Sequence, residues 1–136
     1  MQPLLLMNYS IYTIKHSDDL ARVYSGKRKG SFEEYTNWKT GKVLLLEARE
    51  KSLWLTVLFA HAEKTDKIQY WARLTDIQIV QKPDGMFITT YSFEKLTKLT
   101  RPRFKKDLVL KSTKRPIHPD FIRPYALCLT PNYLNE

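Results

Sequence analysis

Arg101, Arg103 and Lys105 stand at every second position, with Lys106 directly after them. On an extended backbone such residues project to one side, so the three cations would line one wall of a groove. Cations in a row suit a phosphate backbone, because each one that meets a phosphate displaces a condensed counterion. They belong to a longer stretch. Lys95, Lys98, Arg101, Arg103, Lys105, Lys106, Lys111, Lys114, Arg115 and Arg123, ten cations, are opposed only by Asp107 and Asp120, a net of +8 over residues 95–123. The whole chain carries +9, so the remainder is close to neutral. A second basic group, Lys27-Arg28-Lys29, lies between Gly26 and Gly30, and its flexible flanks would let adjacent cations grip phosphates. For both groups the plainer alternative is a solvated basic surface.

Aromatic residues supply the second kind of chemistry, stacking on a base. Trp38, Trp54 and Trp71 are the pocket candidates, with Tyr70 and Arg73 flanking Trp71. Tyr70 and Trp71 are neighbours, so on a strand they point to opposite faces and only one need be core. Each tryptophan equally suits packing. Trp38 would close an amphipathic helix, and Trp54 opens an apolar strand.

No catalytic, metal or cofactor site follows from the residues. His16, His61 and His118 are far apart, and Cys128 alone could supply sulfur, so no zinc-ligand spacing exists. There is no G-x-S-x-G, and only 4 Gly, which argues against a glycine-rich phosphate loop. Cys128 sits in an apolar run and reads as a buried, inert thiol. His61, ending another apolar run, reads as a packed residue.

The elements that must position these residues alternate strands with short helices. Asn8–Lys15 alternates as a strand. Ser17 would cap a helix through about Tyr24, with Asp18 and Asp19 in its first turn. Ser31 and Glu34 have capping-box spacing, which predicts a second helix over Phe32–Trp38, ended by Thr40-Gly41. Lys42–Ala48, Leu53–Ala60, Ile68–Gln81, Met86–Tyr91 and Tyr125–Leu129 read as strands, with a bulge near Thr75-Asp76. Pro83-Asp84-Gly85 is a turn. Phe93–Leu99 reads as one helical turn or more. Leu108–Leu110 is a short apolar run, and Pro116, Pro119 and Pro124 keep the segment around them irregular.

Length and composition set the class. The 136 residues fit one domain, and a chain of that size buries roughly two-thirds of its unfolded surface. One cysteine excludes an intrachain disulfide scaffold. The start MQPLLLM is too short for a signal-peptide core, and no apolar run approaches the roughly 20 residues that span a bilayer. The expectation is a cytoplasmic, reduced protein with no membrane partner. With at least five or six strands, closure or curling is the usual way to remove exposed edges. The fold expected is α+β: a small, curled, mostly antiparallel β-barrel with short helices inserted after the first strand.

This order resembles the PUA-like superfamily, which includes EVE, ASCH and YTH domains. Trp38-Lys39-Thr40-Gly41-Lys42-Val43-Leu44-Leu45-Leu46 is similar to the helix-to-strand step of such domains. Tyr70-Trp71-Ala72-Arg73-Leu74-Thr75-Asp76-Ile77 is similar to their central strand. The aromatic-rich first strand of EVE domains is missing, and the basic C-terminal stretch aligns with no motif of the family.

The resemblance implies binding to RNA or DNA, with one flipped or modified base, or a small nucleoside, held in an aromatic pocket around Trp71. Some ASCH-like domains resemble small amidohydrolases that use lysine, threonine and glutamate. Lys27 and Glu47 would fill part of that role, if Glu47 were buried among its apolar neighbours. A solvent-facing Glu47 is the simpler reading. A protein-interaction module with an acidic partner is the third possibility.

Overall fold

Hydrophobic alternation makes the first strand, and its neighbours in space are made last and midway along the chain. The computed structural model describes residues 5–63, 67–118, 121 and 123–135. Its elements are β1 (Leu6–Lys15), α1 (Ser17–Ser25), β2 (Gly30–Glu34), α2 (Lys39–Glu50), β3 (Trp54–His61), β4 (Lys67–Gln81), β5 (Phe87–Phe104) and β6 (Tyr125–Leu129). The strands form a six-stranded sheet in the order β2-β5-β4-β3-β1-β6. Only β1 and β3 run parallel. The segment α1–β2–α2 is the crossover that a parallel pair requires. The chain is therefore α+β with a mostly antiparallel sheet. One helix follows β1 as expected, and the other follows β2. Among the described residues no ladder joins β2 to β6, so the sheet is open and these strands are its edges.

Both faces of the sheet are covered. On one, Leu20 of α1 and Leu44, Leu45 and Ala48 of α2 pack with Ile11, Val57, Phe59, Ala72, Tyr91 and Phe93. On the other, Leu108, Ile117 and Leu134 cover Tyr12, Leu58, Ile68, Trp71 and Cys128. Tyr70 and Trp71 do point to opposite faces, but both are buried. Between β1 and its neighbours lies a buried hydroxyl chain. Ser10 Oγ is 2.6 Å from Thr56 Oγ1 and 2.7 Å from Thr130 Oγ1, and Thr130 donates to the carbonyl of Met7 at 2.6 Å.

The two edges differ. The outer edge of β6 is strapped by the chain at Val109–Lys111: Lys111 N–H donates to Leu127 O at 2.9 Å and Leu129 N–H to Val109 O at 2.8 Å. Leu110 bridges Cys128 in the same stretch. Thus the apolar run Leu108–Leu110 closes an edge. Strand β2 pairs only with β5.

Four local expectations are corrected. Ser17 is the first helical residue of α1 and caps nothing; its N–H instead donates to the Glu63 carboxylate at 3.1 and 3.2 Å. Residues 32–38 start as strand β2, and no capping box forms, because Glu34 bonds Lys15 Nζ at 3.1 Å. Lys42–Ala48 is helical, in α2: Gly41, Leu44, Leu45 and Ala48 are buried at i, i+3 and i+4 spacing. Gly41 has a definite reason to be glycine. A Cβ there would lie 2.7 Å from Ile11 Cδ1 and 3.0 Å from the Tyr125 hydroxyl, and the Gly41 N–H donates to that hydroxyl at 2.7 Å. Phe93–Leu99 is not helical but continues β5.

The bulge expected near Thr75-Asp76 is present, as the β4–β5 register shifts between Leu74 and Asp76. The turn at Pro83-Asp84-Gly85 is also present, with Gly85 at φ 87°. Pro119 and Asp120 lie outside the described residues. Among the described residues no helix is long and apolar enough to cross a membrane.

Candidate nucleic-acid interface

The loop Lys27–Lys29 is held against the start of the basic stretch by one backbone bond. Arg28, at φ 57°, turns its carbonyl to the N–H of Leu96 at 2.9 Å. Lys95, also at positive φ (56°), is the extra residue of a bulge there. The Arg28 side chain lies over the Tyr24 ring, 4.1 Å from its centroid, and its Nε donates to Tyr24 O at 3.1 Å. Tyr24 meets Tyr70 edge-on at 5.6 Å, and Lys98 Nζ lies 5.9 Å from the Tyr70 centroid. His61 stacks on the same Tyr70 at 6.1 Å. Two basic segments distant in sequence thus share an aromatic platform.

Most of these cations have no carboxylate partner among the described residues. The ion pairs of the described residues are Lys15–Glu34, His16–Glu63, Arg22–Asp19, Arg49–Asp76 and Lys51–Glu47. None engages Lys27, Arg28, Lys29, Lys95, Lys98, Arg101, Lys106, Lys111, Lys114 or Arg115. Several rest on aromatic faces instead, Lys106 on Phe104 at 5.9 Å and Lys111 on Tyr9 at 5.0 Å. An aromatic face orients a cation without neutralising it.

The row Arg101, Arg103, Lys105 does not form one wall. β5 ends at Phe104, and Lys105 opens a single 3-10 turn, leaving the alternation. Arg101 is exposed, and Arg103 lies over the Tyr133 ring at 4.6 Å. Lys105 is 3 % exposed, with Nζ donating to Phe121 O at 3.0 Å, so its ammonium serves the fold. Lys106 is exposed.

The tryptophans separate clearly. Trp38 is wholly buried between Tyr91 (centroids 4.4 Å apart) and Tyr125 (4.9 Å), so both indole faces are occupied. Trp71, like Tyr70, is core. Trp54 alone is open, at 37 % exposure. The Arg73 guanidinium lies 4.9 Å from its ring, and Arg73 Nε is buried without a hydrogen-bond partner. Trp54 lines a cleft of about 600 Å³ with Leu45, Arg49, Leu53, Leu74, Thr75 and Glu94. Glu94 directly precedes Lys95, so the cleft abuts the basic stretch.

Tyr24, Arg49 and Glu94 have no mark in the sequence that points to the interface. Helical spacing from Leu45 to Arg49 places Arg49 at the cleft only once α2 is recognised as a helix. Nothing in the sequence singles out Tyr24 as the platform for Arg28.

Elsewhere the chemistry is quiet. Glu47 lies on α2, and its half-exposed carboxylate pairs with Lys51 at 2.9 Å, so the premise of a base buried in an apolar strand does not hold. Burial pushes the Cys128 thiol up to about 12, and its Sγ sits 3.7 Å from Ser10 O. Among the described residues no group of histidine, cysteine or acidic side chains could hold a metal ion. Comparison with family models, with curated proteins and with solved structures finds no match.

Proposed function

We propose that the chain is a nucleic-acid-binding module. One observation carries the reading: the exposed cations of residues 27–29 and 95–115, joined through Arg28 and Leu96, form no ion pair with a carboxylate among the described residues. A surface of this kind attracts a polyanion by counterion release. The Trp54–Arg73 pair beside its cleft is the stacking element, in place of the buried Trp71. An aromatic face backed by a cation accepts any base of an unpaired strand.

The PUA-like resemblance supports the same reading. In it, the sheet is a curled form of that barrel, with bends at the β4–β5 register shifts after Ile68, Trp71 and Leu74.

Fluorescence anisotropy with single- and double-stranded DNA and RNA, across a salt series, tests the reading. Affinity should fall steeply as salt rises, and single strands should bind more tightly than duplexes. Absence of salt-dependent binding to all four would sink it.

A further inference from the structure

Strand β2 carries an open edge and an unusual order of charges. Leu96 donates to Arg28 O, so Arg28 faces β5. Ladder alternation then turns Gly30, Phe32 and Glu34 toward β5 as well, and leaves the N–H and C=O of Lys29, Ser31 and Glu33 pointing outward. Among the described residues no backbone bond reaches Ser31 or Glu33 from outside the β2–β5 ladder. All three of these residues are exposed, whereas Phe32 packs on Phe59, Tyr91 and Phe93. The opposite outer edge of the sheet is strapped by residues 109–111, whereas no described segment straps the outer edge of β2.

A charged edge strand ordinarily repels other strands. Here the sign reverses along the strand: Lys29, then Ser31, then Glu33. We infer that β2 pairs antiparallel with β2 of a second copy, Ser31 against Ser31, joining two sheets into one.

Outward-facing residues must meet outward-facing residues in narrow hydrogen-bonded pairs. That condition allows few registers. Centring on Ser31 sets Lys29 of each copy opposite Glu33 of the other, twice by symmetry. Centring on Glu33 or on Lys29 sets like charges together, which is unfavourable. Of the registers centred on an outward-facing residue, the charge order thus favours the one through Ser31. Neither Lys29 nor Glu33 has an ion-pair partner within the chain among the described residues. Pairing of this kind does not depend on nucleic-acid binding.

Sedimentation velocity on nuclease-treated protein at low salt tests it. Wild type should show a concentration-dependent dimer that weakens with salt. Glu33→Lys and Lys29→Glu should each weaken dimerisation about tenfold or more, since two attractive pairs become repulsive. Mixing the two variants in equal amounts should restore a dimer, because each then opposes the other's new charge. The doubly exchanged chain should dimerise like wild type. A wild type that stays monomeric at high concentration overturns the inference. So does Glu33→Lys dimerising as tightly as wild type, or the mixture failing to recover while both variants melt normally.

Discussion

The carbonyl of Arg28 accepts a 2.9 Å hydrogen bond from the N–H of Leu96, and this contact fixes one basic segment against another 68 positions away. The positive surface is therefore held in shape by the backbone. Exposed side chains hold the charge, and buried ones hold the frame.

Charge reversal should separate the two roles. On duplex DNA, Lys98→Glu and Arg101→Glu should each lower the slope of log affinity against log salt by about 0.9 for every phosphate the variant no longer neutralises. Lys105→Met should leave that slope alone. It should instead cost roughly 1–3 kcal/mol of stability, because it leaves the Phe121 carbonyl without its donor. Salt titrations by anisotropy, beside urea melts, distinguish these outcomes.

The tryptophans should divide in the same manner. Trp54→Ala should weaken single-strand binding by about 1–3 kcal/mol at fixed salt and leave the salt slope unchanged. Trp38→Ala should destabilise the fold by about 3–5 kcal/mol, since it empties the space between Tyr91 and Tyr125. Oligonucleotide titration checks the first, and denaturant unfolding the second.

Acid should weaken the fold through His61. Burial lowers its pKa from 6.5, the Lys67 and Lys98 charges lower it further, and Glu63 opposes them. The unfolded chain takes up a proton near 6.5 that folded His61 refuses, so stability should fall as pH drops through that value. His61→Gln should remove this part of the pH dependence, as read by urea melts between neutral pH and pH of about 5.5. On the proposed reading, a polyanion bound at Lys98 would screen that charge. It should therefore shift the His61 ring resonances toward the protonated form at a given pH.

Ser52 offers a gain in stability. It holds φ 56° just past the end of α2, while the N–H of Leu53 returns to Ala48 O at 2.8 Å. That closing turn favours glycine, which adopts positive φ without strain. Ser52→Gly should stabilise the fold by about 1 kcal/mol, read as a rise in Tm.

Much of the sheet is legible in the sequence because half-buried strands print their alternation on it. β1 and β4 follow from alternation, with the bulge near Thr75-Asp76, whereas β3, buried at every residue after Trp54, and β6 follow as short apolar runs. The expectations that fail share a cause: local patterns that two structures satisfy. Val43–Leu46 is an apolar run that suits a strand, yet only Leu44 and Leu45 of it are buried, and Val43 and Leu46 are exposed. Phe93 and Leu96 stand three apart as on a helix, because the bulged Lys95 adds one residue between two inward positions of a strand. The basic character of the candidate interface is plain from residue types. Its geometry is not, since the Arg28–Leu96 bond and the Trp54–Arg73 stack join residues that only the fold brings together.

The hydroxyl chain Thr56–Ser10–Thr130 joins segments that leave the ribosome at different times. Strand β1 is synthesised first, yet β6, which borders it, is synthesised last of the six. Until Tyr125–Leu129 has left the exit tunnel, the flank of β1 stays open and Ser10 lacks Thr130. The helices and the β4–β5 hairpin can form while synthesis continues. Completion of the sheet waits for the final strand, so a nascent chain stalled before Tyr125 would display one open flank of β1 to every passing neighbour.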